Sequence, residues 1–204
     1  MSTRWAMWAA GLAVGLSQAG YADNIEITPF YGYRFGGEFE DADTGQRLDI
    51  GDSSCWGGMV DVHLSKVTQL EFYYSRQETE LKSDDGLFAS ATLFDLDVDY
   101  YHIGGTVILP DGPWQPFALG TLGAAHMDPD APGTDSLTRF SLGLGGGLRF
   151  FPTEHLGLYL AGRGLFTFLE GEAAFRSESG QARVKVNSDG FWQVELQAGL
   201  IFTF

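Results

Sequence analysis

Between Phe191 and Phe204 the chain alternates between two kinds of side chain. Trp192, Val194, Leu196, Ala198, Leu200, Phe202 and Phe204 are all apolar, and Gln193, Glu195, Gln197, Gly199 and Thr203 interleave with them as polar or small residues. Successive side chains of an extended strand point to opposite faces, so this segment predicts a β-strand with one greasy and one polar face. An amphipathic helix needs apolar residues at i, i+3, i+4 and i+7, a spacing that would mix the two classes.

The same alternation recurs along the chain. Ile25, Ile27, Tyr31, Tyr33 and Phe35 oppose Glu26, Thr28 and Arg34; Val60, Val62 and Leu64 oppose Asp61, His63 and Ser65; Leu70, Phe72 and Tyr74 oppose Glu71, Tyr73 and Ser75. Phe94, Leu96, Val98 and Tyr100 oppose Asp95, Asp97, Asp99 and Tyr101, and Phe117 and Leu119 oppose Ala118 and Gly120. Phe140, Leu142, Leu144, Leu148 and Phe150 oppose Ser141, Gly143, Gly145, Gly147 and Arg149; Leu156, Leu158, Leu160, Phe166 and Phe168 oppose Gly157, Tyr159, Ala161, Arg163 and Thr167. With the last segment this predicts eight strands, and no segment sustains a helical period. Three connections are short and punctuated as turns, at Ser65–Thr68, Leu109–Trp114 and Pro152–His155. Four are longer, near Gly37–Ser53, Lys82–Ser90, Met127–Leu137 and Glu170–Asp189. Because long and short interleave, the long loops share one end of the fold, and the termini lie at the other.

Ahead of the strands, Arg4 is followed by an apolar run from Trp5 to Leu16 and then by Ser17-Gln18-Ala19-Gly20-Tyr21-Ala22. A basic start, a short apolar core and small residues before a cut after Ala22 make residues 1–22 a signal peptide by expectation; the run is too short to span a bilayer as a helix. Residues 23–204 then form one exported β-barrel domain.

Composition decides which face is greasy. The chain has 28 glycines, 16 Phe, 8 Tyr and 5 Trp in 204 residues, with 44% hydrophobic residues and one cysteine, Cys55, which rules out an intrachain disulfide. Its net charge of −15 argues against nucleic-acid binding. A soluble eight-stranded barrel would turn the apolar parity inward, but a lumen of that size only just holds ordinary side chains, and Trp, Phe, Tyr and Leu from eight strands overfill it. Turned outward into lipid, that parity leaves the Gly-rich parity (Gly143, Gly145, Gly147, Gly157, Gly199) in the crowded interior. Aromatics near strand ends suit an interfacial girdle, and a closed barrel satisfies every backbone group in lipid.

The terminal Gln-Ala-Gly-Leu-Ile-Phe-Thr-Phe, ending in Phe204, resembles the C-terminal signal read by the outer-membrane assembly machinery. Asp97-Val-Asp-Tyr-Tyr-His-Ile-Gly-Gly-Thr106 and Phe150-Phe-Pro-Thr-Glu-His-Leu-Gly-Leu-Tyr-Leu-Ala-Gly-Arg-Gly164 resemble the porin-like outer membrane protein beta-barrel domain family. The resemblance implies an eight-stranded antiparallel up-and-down barrel in the outer membrane of a Gram-negative bacterium. It implies contacts with outer-membrane lipid and lipopolysaccharide, and the assembly machinery as a partner during biogenesis. It assigns no activity.

The polar parity supplies the candidate chemistry. Placed inside, Glu26, Asp61, Glu71, Asp95, Asp97, Asp99 and Glu195 face Arg34, Arg139, Arg149 and Arg163. Enclosed charges need partners, and arginine bridges carboxylates with a rigid fork, so these residues predict a lumen of ion pairs; the alternative is a polar pathway for ions or small solutes. Asp95-x-Asp97-x-Asp99 departs from an EF-hand loop at Tyr100, where glycine is needed. His63-Leu-Ser65 resembles the His-x-Ser of outer-membrane lipid A deacylases, a third reading, but it abuts a short turn on the inward parity. Gly143-Leu-Gly-Gly-Gly147 lacks the last glycine of a dinucleotide fingerprint. The long connections are acidic, Gly37–Ser53 holding six acids against Arg47; they would meet lipopolysaccharide through divalent cations, engage a basic partner, or simply repel neighbours. The expectation is a monomeric barrel without cofactor, metal or catalytic site, structural or interactive at the cell surface.

Overall fold

The computed structural model describes residues 25–40, 47–84, 90–109, 112–130, 136–169, 173–176, 182–186 and 190–204; the expected signal peptide lies outside them. Twelve strands are present among these: β1 (Ile25–Phe35), β2 (Glu38–Glu40), β3 (Arg47–Ile50), β4 (Ser53–His63), β5 (Thr68–Asp84), β6 (Ser90–Ile108), β7 (Trp114–Asp130), β8 (Leu137–Phe150), β9 (Leu156–Phe168), β10 (Ala173–Arg176), β11 (Ala182–Val186) and β12 (Gly190–Thr203). Eight of them, β1, β4 to β9 and β12, pair antiparallel with their neighbours, and pairing of β1 with β12 and of β5 with β6 closes the circle. The barrel is all-β, eight-stranded and antiparallel. β2 and β3 extend the wall beside the upper part of β5, and β10 with β11 forms a separate hairpin in the β9–β12 connection.

The predicted short connections Ser65–Thr68 and Pro152–His155 are tight turns between barrel strands, and Leu109–Trp114 lies partly outside the described residues. In the turn before β7, Gly112 adopts φ +63°, a left-handed conformation that glycine reaches without a Cβ clash. At the opposite end the strands are uneven. β1 and β4 have 11 residues each, enough for a tilted membrane crossing, whereas β5, β6 and β7 have 17, 19 and 17. Those three therefore rise about six to eight residues beyond β1 and β4 at the long-loop end.

The apolar parity faces out over most of the wall. Ile27, Tyr31, Tyr33, Val60, Phe72, Leu142, Leu144, Leu158, Leu160, Trp192, Leu196 and Leu200 are exposed, and Glu26, Arg34, Glu71, Arg149, Arg163 and Glu195 are buried inside. Aromatics cluster toward the long-loop side of this belt, with Phe166 against Trp192 at 4.9 Å between ring centroids and Tyr74 against Tyr101 at 5.1 Å.

Two strands differ from the sequence expectation. On β6 the inward residues are Leu96, Val98 and Tyr100, all essentially fully buried, so Asp95, Asp97 and Asp99 lie on the outer wall. On the lower half of the same strand Tyr101, Ile103 and Val107 are exposed while His102 and Thr106 face in. The parity does not change from Asp95 to Ile108. What changes is the medium outside: below Tyr101 the wall is an apolar belt, above it the strand stands clear of the belt, so Asp95 and Asp97 turn outward to water, Asp99 is covered by Tyr74 and Arg76, and apolar side chains fill the mouth. On β7, Phe117 and Leu119 also point inward, Phe117 stacking on Tyr159 at 5.3 Å, while Ala118 and Gly120 make a thin outer face. Leu144 of the neighbouring strand packs beside Gly120.

Glycines on the inner parity of β8 hold two strands close. A Cβ at Gly147 would overlap the Leu160 carbonyl, whereas a Cβ at outward-facing Gly105 would meet nothing nearer than 3.7 Å. Gly147→Ala is expected to cost about 1–3 kcal/mol, as overpacking does, and Gly105→Ala nothing measurable. Urea unfolding followed by the heat-modifiable gel shift in detergent micelles checks both.

Candidate functional site: the ion-paired lumen and the acidic rim

The inner parity places three ion pairs at successive heights. Nearest the long-loop end, Arg34 of β1 meets Glu195 of β12 at 2.7 Å, both side chains fully buried. These strands are hydrogen-bonded neighbours with Arg34 opposite Glu195, so the pair is set by register. Around it, Arg34 donates to Ser75 Oγ (2.6 Å) and Gln77 Oε1 (3.3 Å), and its guanidinium lies over the Tyr100 ring at 4.7 Å. Glu195 accepts from Tyr73 Oη (2.9 Å) and Gln197 Nε2 (2.6 Å).

At mid-height Arg163 of β9 reaches across the lumen to Glu71 of β5 at 2.8 Å, with its guanidinium 3.9 Å from the Tyr73 ring centroid. Thr106 donates to the other Glu71 oxygen at 3.3 Å. Toward the short-turn end Arg149 of β8 pairs with Glu26 of β1, and Gln69 both accepts from Arg149 (3.1 Å) and donates to Glu26 (2.7 Å). Asp61 stands between Glu26 and Glu71 in register, so three acids share one inner row with an arginine at each end. Each guanidinium thus has a carboxylate and an aromatic face, the combination that makes a buried cation tolerable.

These pairs leave little free space. A void of about 10 Å³ remains among Glu26, Asp61, Glu71, Arg149 and Tyr159, near the limit for one water. Below it, a vestibule of about 330 Å³ opens at the short-turn mouth and ends against Glu26. Apolar side chains complete the filling, with Phe30 stacked on Tyr73 at 5.8 Å and Met59, Leu165 and Ile201 buried beside them.

Of the sequence candidates, the structure brings Arg34, Glu71, Arg149, Arg163 and Glu195 into lumen pairs, together with Glu26, and puts Asp61 between two of them. Arg139 lies on the inner parity of β8 near the long-loop mouth, donating to the Thr138 carbonyl at 3.0 Å. Asp95, Asp97 and Asp99 are corrected from lumen to outer wall. The sequence reading missed the neutral bridges Gln69, Tyr73, Ser75 and Gln197, whose signal was their shared parity with the acids. It also missed Arg76, the partner of the displaced aspartates. Arg76 on β5 pairs with Asp97 and, at 3.4 Å, with Asp99, which in turn accepts from Tyr74 Oη at 3.0 Å. His63 turns into the short-turn mouth, with Nε2 3.0 Å from Glu26, while Ser65 Oγ accepts from the Val67 amide. Cys55 is a buried free thiol.

Above the apolar belt, the pairing of β5, β6 and β7 sets Glu78, Asp97 and Asp128 side by side, and Glu80, Asp95 and Asp130 in the next row. Burial raises the Asp97 carboxyl above its ordinary value; Arg76 opposes the shift, and Glu78, Asp99 and Asp128 reinforce it.

No family model matches the chain, and no curated protein does. Solved structures do match in fold. Neisserial surface protein A superposes with a TM-score of 0.60 at 14% identity, over 88% of this chain and 97% of that one. The outer membrane protein AlkL, determined in lipid bilayers, gives 0.62 at 13% identity over 93% and 94%. OprG from Pseudomonas aeruginosa gives 0.59 at 13% over 90% and 96%. At these identities the likeness is one of fold. Together with the closed barrel and its apolar belt, it makes this chain an integral outer-membrane β-barrel, upholding the resemblance at the level of architecture rather than of the narrower family name.

Two stability outcomes follow from these environments. Removing one partner of a buried pair strands the other, so Glu71→Ala is expected to cost about 3–5 kcal/mol, while Glu78→Ala, which removes only an exposed contact with Arg76, costs at most about 1 kcal/mol; equilibrium unfolding in micelles measures both. At the rim, the fold holds the Asp97 proton more tightly than the unfolded chain does. Its ionisation therefore opposes folding, fully so above the raised folded value and not at all below the ordinary carboxylate value. Acidification from neutrality should thus stabilise the wild type slightly, and that gain should shrink in Asp97→Asn.

Proposed function

We propose that this outer-membrane barrel is a closed, non-catalytic scaffold whose role is carried at the cell surface, structurally or through interaction, and that its lumen is a plug. The observation behind this reading is the stack of three buried ion pairs, Arg163–Glu71 and Arg149–Glu26 across the lumen and Arg34–Glu195 between neighbouring strands, each braced by neutral donors and acceptors. A hydrated ion would have to part all three against several kcal/mol of buried charge–charge attraction. With the lumen committed to holding itself together, the surface left to meet a partner is the raised β5–β7 wall. His63 and Ser65 sit at the short-turn end and in hydrogen bonds of their own, which favours a structural over a deacylase-like use of that pair.

Planar-bilayer recordings on the purified protein test the reading. The wild type should show no steady conductance, and Glu71→Ala/Arg163→Ala, which removes the mid-height pair without stranding a charge, should raise the leak. Steady open channels in the wild type would favour the porin-like alternative and end the plug.

A further inference from the structure

The outer wall of a small barrel is convex, yet this one carries a groove of about 560 Å³ on its apolar belt, lined by Gly58, Val60, Phe72, Tyr101, Ile103 and Leu122. Register explains it. Val60, Phe72, Ile103 and Leu122 form one row across β4, β5, β6 and β7, and Gly58, Tyr74, Tyr101 and Ala124 form the row above. Gly58 and Ala124 flank the two tyrosines with almost no side chain. The volume falls in the range of small-molecule sites.

The groove's upper end is polar and negative. Tyr74 donates its hydroxyl to Asp99, and Arg76 ties Asp99 to Asp97. One strand step higher, about 7 Å at roughly 3.4 Å per residue, begins the double row of carboxylates on β5, β6 and β7, facing a cavity of about 630 Å³. Among the described residues Arg76 is the one arginine or lysine in these paired rows, against four carboxylates in its own row and the next.

We infer that this groove binds a cationic amphiphile dissolved in the bilayer, its hydrocarbon chain along Phe72 and Ile103 and its ammonium head at the acidic edge that begins with Asp97. Three occupants compete for an apolar groove facing lipid, and charge separates them. A second copy of the chain would bring two acidic walls face to face. An anionic lipid would place its phosphates beneath the carboxylates. An ammonium head relieves their repulsion, and the chain fills the concavity without disturbing the wall. The inference depends on the membrane placement of this face and not on whether the lumen conducts.

Two dodecyl probes with a photoreactive group near the chain end test it, one with a trimethylammonium head and one with a sulfate head. Each is mixed into zwitterionic nanodiscs holding the refolded protein, and labelled residues are mapped by peptide mass spectrometry. The ammonium probe should label Phe72, Ile103 or Leu122 roughly fivefold above the mean of the belt, the upper range of what an exposed ion pair supplies. The sulfate probe should show no such preference. Gly58→Leu should abolish the enrichment by filling the groove; a Cβ there meets nothing nearer than 3.8 Å, and the heat-modifiable shift verifies folding. Asp97→Asn/Asp99→Asn should remove the preference for the ammonium head while leaving chain labelling at belt level. Equal labelling by both heads, uniform labelling around the belt, or cross-linked dimers through this face would each overturn the inference.

Discussion

Every backbone amide and carbonyl of a chain in hydrocarbon must find a partner within the protein, and here that requirement is met by bending one antiparallel ladder until β1 meets β12. Closure dictates the rest. Once the sheet has an inside, each strand must choose which parity to enclose, and the medium outside makes that choice. Against lipid the apolar parity goes out and the charged parity goes in. Once charges are in, they must be paired, because an isolated ion in so narrow a space is prohibitively costly. The three arginine–carboxylate pairs are thus a consequence of membrane insertion as much as a device for any activity.

The same rule accounts for the raised wall. From Asp95 to Ile108 β6 keeps a single parity, yet its outward residues pass from Val107 and Ile103 to Asp99, Asp97 and Asp95. Nothing in the strand's geometry turns over at Tyr100 and Tyr101; the surroundings do. A single strand therefore records where lipid gives way to water, and the tyrosines mark the crossing, where an amphipathic ring is most comfortable.

Much of this was legible in the chain. The alternation of β12, β9 and β8 identified their faces residue by residue, and the three short turns located the strand ends. The lumen pairs Arg149–Glu26 and Arg163–Glu71 could be anticipated as residues but not as partners, since pairing across a lumen depends on shear and register that local pattern does not encode. β6 was misread because the alternation from Leu96 to Tyr100 lies in the stretch that has left the lipid, where apolar means inward. The contrary pattern from Tyr101 to Val107 was the available clue. Phe117 and Leu119 were misassigned for a different reason: their outward neighbours Ala118 and Gly120 are small, so the more hydrophobic parity was not the lipid-facing one. The acidic wall was out of reach because Glu78, Asp97 and Asp128 become neighbours only through the pairing of three strands.

A nitroxide scan along β6 in a Cys55→Ala background tests the account most directly. Labels at residues 103 and 107 should be relaxed by oxygen, which concentrates in lipid, and labels at 95 and 97 by a water-soluble nickel chelate. Labels at 98 and 106 should respond to neither. Chelate access at 103 and 107, or oxygen-dominated relaxation at 95 and 97, would contradict a wall whose one parity passes from lipid into water.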